Sequence, residues 1–294
     1  MNIYMVPNLS KDENACFTLR AAKILAELGA NLLFSEEMTP FLPSDVSAAY
    51  TLSLAKECYE QADVILTIGG DGTILHEAIQ SLAYQKPILG VNLGRCGFLA
   101  TCEEDEMQEK FQKLVCNEYI LDKRHLLSAC IQEAGNSIVK TARAEERFAL
   151  NDVVISKGTT QQSIDLSIYC DDILVESYRG DGVIIATPTG STAYSLAAGG
   201  PIVDAQTMGI VLTAICPHKL RAPSMVFAPK RVLRVVLGNA SRGAVFLSCD
   251  GQTEVMLQER EAVEITLSDN AVQLVSFSSA AQFEAIDRKL KNKD

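Results

Sequence analysis

No tryptophan occurs in the 294 residues, histidine occurs three times and proline nine times. So few histidines leave little material for an imidazole-rich metal centre. The one local candidate, His76-Glu77-Ala78-Ile79-Gln80, lacks the second histidine that a zinc-binding HExxH helix needs. The nine cysteines, at 16, 58, 96, 102, 116, 130, 170, 216 and 249, are odd in number and form no CxxC pair. That excludes a disulfide framework and a cysteine-rich zinc site, and predicts reduced, mostly buried thiols. No apolar stretch approaches the ~18 residues of a membrane span; Ile210–Cys216, with seven, is among the longest. Met1–Leu9 lacks the basic start and apolar core of a secretory leader. A cytoplasmic protein with no membrane partner is the expectation. Positive charge is also short, 26 Lys and Arg against 37 Asp and Glu, for a net charge of −11. A nucleic-acid partner would need a basic face to displace phosphate counterions. A small anionic ligand needs none, because backbone N–H groups hold phosphate without net charge. Neither GxxxxGK[ST] nor GxGxxG occurs, which excludes a P-loop enzyme and a fingerprint dinucleotide oxidoreductase.

A hydrophobic fraction of 48% and a charged fraction of 21% describe a globular chain. At ~150 residues per domain the length suggests about two domains. Over residues 1–118 apolar runs without alternation (2–6, 31–34, 63–68, 87–91) are separated by helical patterns at 10–28, 45–60, 73–84 and 101–115. Such runs imply a parallel sheet covered on both faces. Ser10/Glu13 and Thr101/Glu104 have capping-box spacing, and Gly29 stands where a helix should stop. From 119 to 277 short strands take over, at 127–132, 137–143, 152–156, 164–169, 173–177, 183–187, 232–237, 245–249, 254–257, 262–267 and 272–277. Turn pairs stand between them at 135–136, 171–172, 238–239, 250–251 and 269–270. This reads as a mostly antiparallel β domain interrupted by one short helix at 191–198. The polar tail, 278–294, returns to the first domain or frays.

Three segments carry chemistry. Gly69-Gly70-Asp71-Gly72-Thr73 follows an apolar strand and opens a helix. Its glycines let a ligand approach the backbone, and the helix start offers N–H groups to phosphate. A carboxylate in such a turn repels phosphate, so Asp71 either takes a proton from an attacking hydroxyl, faces a metal ion, or caps the turn. Gly180-Asp181-Gly182 leads through a strand to Pro188-Thr189-Gly190-Ser191-Thr192-Ala193-Tyr194-Ser195 and Gly199-Gly200-Pro201. Its hydroxyls suit phosphate or ribose, and the Tyr194 ring suits a base. Asn151-Asp152 pairs a donor–acceptor amide with a carboxylate able to accept from two hydroxyls.

Together, Gly69–Thr73, Asn151-Asp152 and Thr187–Val203 (TPTGSTAYSLAAGGPIV) resemble the NAD kinase family, and the segments Gly90–Leu99, Pro217-His218 and Asp250-Gly251-Gln252 fit its other landmarks. The GGDGT turn is shared with diacylglycerol and sphingolipid kinases; the TPTGSTAYS segment is far more specific. The resemblance implies an N-terminal α/β domain of the Rossmann-like, diacylglycerol-kinase and phosphofructokinase-like kind, a C-terminal β domain, and a homodimer or homotetramer. It implies that Asp71 is the base that activates the adenosine ribose 2′-hydroxyl of NAD. The phosphoryl group comes from ATP, or polyphosphate in some members, with Mg²⁺ or Mn²⁺ arriving on the nucleotide. By motif position Asp71, Gly72, Asn151, Asp152, Arg179, Asp181, Thr192, Ala193, Tyr194, Ser195, Leu196, Ala197 and Gln252 contact NAD. His76 is a further candidate, as is Gln162, where members often carry a basic residue or histidine.

Asp152 stands where many members have Glu, and Lys219-Leu220-Arg221-Ala222-Pro223 is a loose version of a segment that more often reads Ser-x-Arg-Pro. The latter leaves Arg221 without an assigned role. His218 is either a ligand contact or a core histidine, and His125 is read as structural. Two other functions stay open at this point: a lipid kinase built on the same turn, and a non-catalytic NAD(H)-binding sensor.

Overall fold

A computed structural model describes residues 1–42, 50–94, 97–133, 145–159, 162–219, 221–238 and 243–291. The strand expected at 137–143, the turn at 135–136, Arg95, Cys96, Leu220 and Asn239 lie outside them. Two units form: Met1–Lys123 with Val272–Asp294, and Arg124–Ala271.

The first unit runs β1 (Asn2–Pro7), α1 (Cys16–Glu27), β2 (Asn31–Ser35), β3 (Tyr50–Ser53), α2 (Ala55–Gln61), β4 (Val64–Gly69), α3 (Asp71–Gln80), β5 (Ile88–Asn92), β6 (Cys102–Glu103) and α4 (Met107–Val115). Strand order is β3-β2-β1-β4-β5, all parallel. Ile3, Leu32, Leu66 and Leu89 pack there with Leu25 of α1 and Phe111 of α4 in one core. Of the helix expected at 45–60, the part at 55–60 forms as α2, and the part at 50–53 is corrected. Tyr50-Thr51-Leu52, aromatic and β-branched, extends beside β2 instead, and the Tyr50 ring meets Phe34 edge-on at 5.4 Å. Both expected capping boxes are also displaced. Asp12, fully buried, caps α1 by accepting from Phe17 N and Thr18 N at 2.9 Å, while Ser10 donates to Asn8. The second box forms two residues later, where Glu103 N donates to Glu106 Oε2 at 2.9 Å, and Thr101 bonds Val275 O.

The second unit contains most of β7 (Ile120–Glu133), then β8 (Arg147–Ala149), β9 (Asp152–Lys157), β10 (Ile164–Cys170), β11 (Ile173–Gly180), β12 (Gly182–Ala186), α5 (Tyr194–Ala197), β13 (Ile210–Ile215), β14 (Met225–Phe227), β15 (Leu233–Leu237), β16 (Val245–Cys249), β17 (Gln252–Leu257) and the first part of β18 (Glu261–Ser276). One antiparallel array orders β11-β10-β15-β18 with β7 and β8 attached; the other orders β14-β13-β12-β9-β16-β17. Alternate residues such as Ile168, Val235, Val153, Val183 and Leu247 share the core. β12 is buried on both faces, because Ile184 and Ala186 on its other side, with Val154 of the adjacent β9, are covered by Ala198 and Val203. The turn expected at 269–270 is not made: β18 runs through Asp269-Asn270, and its end pairs in parallel with β5 at Leu274↔Ile88. α6 (Ala281–Lys291) follows it in the first unit.

Among the described cysteines, Cys58, Cys102 and Cys170 are buried and Cys16, Cys116 and Cys216 exposed, all unpaired, so burial is less general than expected. No helix among the described residues is long and apolar enough to cross a membrane.

Candidate active site

β4 is buried at every position and ends at Gly69; Gly70 is extended and α3 begins at Asp71. The helix thus starts two residues earlier than its apolar pattern suggested. Thr73 locks the turn: its N–H donates to Gly70 O at 2.9 Å, and its hydroxyl accepts from Asn8 Nδ2 at 3.2 Å. Gly72 is exposed, with open space where a side chain would stand.

Asp71 is not the cap of its own helix. Its Oδ2 accepts from Phe98 N at 2.7 Å, and its Oδ1 from Leu99 N and Ala100 N at 3.2 and 3.3 Å. The carboxylate therefore anchors the loop after β5. Gly97 makes room for it, since a Cβ there would stand 2.0 Å from Oδ1. Oδ1 carries two of these bonds and Oδ2 one, so Oδ2 keeps the freer lone pair.

In the second unit the structure brings two of the sequence signals together. Leu150 N, Asn151 N and Asp152 N all donate to the Asp250 carboxylate, at 2.7, 2.7 and 3.1 Å. Asp250 and Gly251 both have positive φ in the tight turn joining β16 to β17. From the other side Thr187 closes on the same segment, its N–H donating to Asn151 O at 2.9 Å and its hydroxyl to Leu150 O at 2.6 Å. Gly190 packs so closely that a Cβ would lie 2.0 Å from Asn151 O. Asn151-Asp152 and the hydroxyl-rich segment are thus one constellation.

Asp152 is 5% exposed. Burial, and then the neighbouring Asp250 charge, push its carboxyl up to about 7. Burial also raises Asp250, but three backbone N–H donors favour its anion, so of the two Asp152 is the one that holds a proton near neutrality.

Most hydroxyls of the segment are spent internally. Ser191 Oγ donates to Pro188 O at 2.6 Å and accepts from Val203 N at 3.0 Å. Thr192 Oγ1 donates to Thr189 O at 3.2 Å, and Ser195 Oγ lies 3.0 Å from Thr213 Oγ1. Arg124 donates to Thr189 Oγ1. The expected helix at 191–198 is a 3-10 turn at Thr189–Thr192 followed by the single turn of α5. Tyr194 is 47% exposed, Ala197 is exposed, and Ala193 and Leu196 are half-buried.

The remaining candidates divide. Gln252 begins β17 beside Asp250 and is exposed. Arg179, Asp181 and His218 gather at the opposite end of β12, four residues or about 13 Å from the Asp152 end. There Arg179 Nε donates to Ser163 Oγ at 2.9 Å, Lys157 pairs with Asp181 at 2.7 Å, and His218 N donates to Arg179 O at 2.7 Å. Gln162 is exposed next to Ser163, and Arg221 is exposed; no contact of either is described. His125 is half-buried in β7, its Nδ1 without a hydrogen-bond partner among the described residues. His76 lies on the first unit, exposed on α3, and lines a cavity of about 510 Å³ with Asn8, Thr73 and Glu77. The anchoring roles of Asp250 and Gly97 were not foreseen; an Asp-Gly pair between strands reads only as a turn.

A glycine turn with an acid at a strand–helix junction, and a hydroxyl-rich segment beside a carboxylate, define a nucleotide-binding protein of the kinase class. The ATP-NAD kinase N-terminal domain family matches residues 3–119, and the ATP-NAD kinase C-terminal domain family matches residues 150–277. The NAD kinase of Chlorobium phaeovibrioides is 35% identical over 290 residues, covering 99% of this chain and 98% of its own. That of Acetivibrio thermocellus is 32% identical, covering 99% and 97%. Among solved structures, yeast NADH kinase complexed with NADH superposes with a TM-score of 0.83 at 23% identity, over 100% of this chain and 88% of that one. An NAD kinase from Archaeoglobus fulgidus in complex with ATP gives 0.73 at 24%, over 99% of both. At those identities the likeness concerns the fold. The chain belongs to the NAD kinase family.

Proposed function

We propose that this protein phosphorylates the 2′-hydroxyl of the adenosine ribose of NAD, with ATP as donor, to make NADP. The observation that carries the reading is the clamp on Asn151-Asp152, held by Asp250 from one side and Thr187 from the other. It fixes an amide and a carboxylate suited to a pair of ribose hydroxyls, against the turn at Gly190 that leads to the exposed Tyr194. A ribose hydroxyl is a weak nucleophile at neutral pH. A positioned carboxylate that takes its proton contributes about 10²–10⁴-fold, and Asp71, through Oδ2, is the proposed acceptor. Phosphoryl transfer otherwise needs positioning and charge stabilisation. Mg²⁺ or Mn²⁺ carried by ATP supplies part of that charge. Among the described residues no group of three or more His, Cys, Asp or Glu stands ready to hold a metal. The groups beside the turn are backbone N–H, the Thr73 hydroxyl and the Lys11 amine, a set that suits phosphate oxygens. The site assignments to NAD follow the same proposal, with Arg179, Asp181 and His218 on a part of the ligand away from the adenosine ribose. The homo-oligomer and the cytoplasmic location belong to the proposal too.

Purified protein with Mg-ATP and NAD should yield NADP, read through an NADP-specific dehydrogenase. NAD binding by titration without NADP formation would make it a sensor. Phosphorylation of diacylglycerol without NADP formation would make it a lipid kinase.

A further inference from the structure

Asp71, the proposed proton acceptor, is placed by another segment. Phe98 N, Leu99 N and Ala100 N donate to its carboxylate, so the backbone at 98–100 sets how its two oxygens are spent. Downstream that backbone passes through Thr101 into β6, which pairs with β5 at Val91↔Cys102 and Asn92↔Glu103. A strand of two residues is well below the usual length and holds little by itself. Thr101 carries two further bonds. Its hydroxyl donates to Val275 O at 2.8 Å, and its carbonyl accepts from Lys110 Nζ of α4 at 2.5 Å.

The same ammonium bonds Glu106 Oε2 at 2.5 Å, and that oxygen also accepts from Glu103 N at 2.9 Å. One ion pair thus takes hold of the segment from both ends, the cation on the carbonyl of Thr101 and the anion on the N–H of Glu103. The pair is sheltered. The Lys110 side chain is only 15% exposed, and its ammonium stands 5.8 Å from the centre of the Phe277 ring, a cation–π distance. Charge-assisted bonds are about twice as strong as neutral ones, and salt screens them less where water is excluded. The other lysine of α4, Lys113, pairs with Glu109 at 2.6 Å on the surface, where an ion pair contributes little. The two lysines carry the same charge on one helix, and Lys110 is the one bonded to the Thr101 carbonyl.

Resting on Asp71 as the base of the kinase reading, we propose that Lys110 is a positioning residue for Asp71: with Glu106 it clamps Thr101–Glu103, and through Thr101 it fixes the 98–100 backbone that aims the carboxylate. The test is NADP formation by the full chain at saturating Mg-ATP. The kcat and the NAD KM are read for wild type, Lys110→Met, Lys110→Arg and Lys113→Met, each also in the Asp71→Asn background. Lys110→Met keeps the stem and removes the ammonium. It should lower kcat by about 10- to 100-fold, the cost of displacing a reacting group by about 1 Å, and leave the NAD KM within about twofold. Lys110→Arg should restore most of kcat, and Lys113→Met should leave it unchanged. Beside Asp71→Asn, Lys110→Met should cost less than about twofold more, because no base remains to be placed. A kcat of Lys110→Met within about twofold of wild type overturns the proposal. So does the full loss recurring beside Asp71→Asn, which would make Lys110 a fold residue independent of the base, or an equal loss in Lys113→Met. A Lys110→Met chain that melts below the assay temperature is replaced by Glu106→Gln, which keeps an acceptor for Glu103 N and weakens the ion pair; its kcat should fall by at least about threefold, again only where Asp71 is present. A wild type that makes no NADP refutes the kinase reading and this inference with it, whereas NADP formation indifferent to Lys110 refutes the inference alone.

Discussion

NAD affinity should depend on pH through Asp152, and the structure gives the size of the effect. Its carboxyl is buried beside Asp250 and pushed up to about 7. If ribose hydroxyls donate to it, the ionised form is the binding form. At pH 6 only about one free molecule in eleven carries that form, so affinity should be about tenfold lower at pH 6 than at pH 8. Asp152→Asn should bind more weakly at pH 8 and show little slope. The free protein responds the other way. The native carboxyl titrates near 7 and the unfolded one near the ordinary 3.8, so between these values the native state holds the extra proton. That contribution to stability is complete below 3.8 and is lost as pH rises through 7. Above 7 the ionised, buried Asp152 costs up to roughly 4 kcal/mol. Asp152→Asn should therefore raise the melting temperature at pH 8 more than at pH 5. Titration calorimetry with NAD at pH 6, 7 and 8, beside melting of both proteins, decides it. Equal wild-type affinity at pH 6 and 8, or an Asp152→Asn profile as steep as wild type, refutes the reasoning. The histidines, including His76 and His218, are the same in both proteins and cancel in the comparison.

Asp71→Asn should cost about 10²–10⁴-fold in kcat. Because its amide cannot accept from both sides of the loop at 98–100, it should also lower stability by about 1.5–3 kcal/mol. Near-normal kcat with an early melt would leave Asp71 as a loop anchor alone. Gly97→Ala keeps the carboxylate but puts a Cβ 2.0 Å from its Oδ1, so kcat and melting temperature should both fall; unchanged kinetics would show that the position of Asp71 is immaterial. Tyr194→Ala should weaken NAD more than Tyr194→Phe, since the exposed ring is the proposed contact surface; equal losses would assign the interaction to the hydroxyl. Asp250→Asn should weaken NAD as much as Asp152→Ala does, although its own carboxylate faces the backbone N–H groups of Leu150–Asp152; normal NAD affinity would show that the clamp is dispensable.

Much of the first unit is legible because most of its strands are short, unbroken apolar runs, and Val64–Gly69 before the turn is the clearest. Other short strands are harder to see. Tyr50–Ser53 continues a helical pattern in the sequence, and Ile210–Ile215 reads only as an apolar stretch, because either becomes a strand only by pairing with a neighbour along the chain. Turn residues misled once. Asp171-Asp172 and Asp250-Gly251 take positive φ and turn the chain, while Asp269-Asn270, with the same local preference, stays extended inside β18.

The candidate site shows a second limit, which concerns what an aspartate is for. Asp12, Asp71 and Asp250 each accept backbone N–H bonds, from Phe17 and Thr18, from Phe98 to Ala100, and from Leu150 to Asp152 respectively. In a chain of net charge −11, part of the excess acid is thus committed to holding loops that carry, or stand next to, the functional residues. Asp12 acts within six residues of itself, and a cap of that reach is visible in a sequence. Asp71 reaches 27 to 29 residues and Asp250 98 to 100, so neither bond leaves a local pattern. A motif match marks both as site residues without separating an acid that touches a ligand from one that shapes the backbone around it. The distances distinguish the three acids by their bonds: Asp250 directs both oxygens to N–H groups, Asp71 keeps one oxygen freer for the proton transfer proposed for it, and Asp152 has no backbone donor on its carboxylate among the described residues, in keeping with the ribose contact proposed for it.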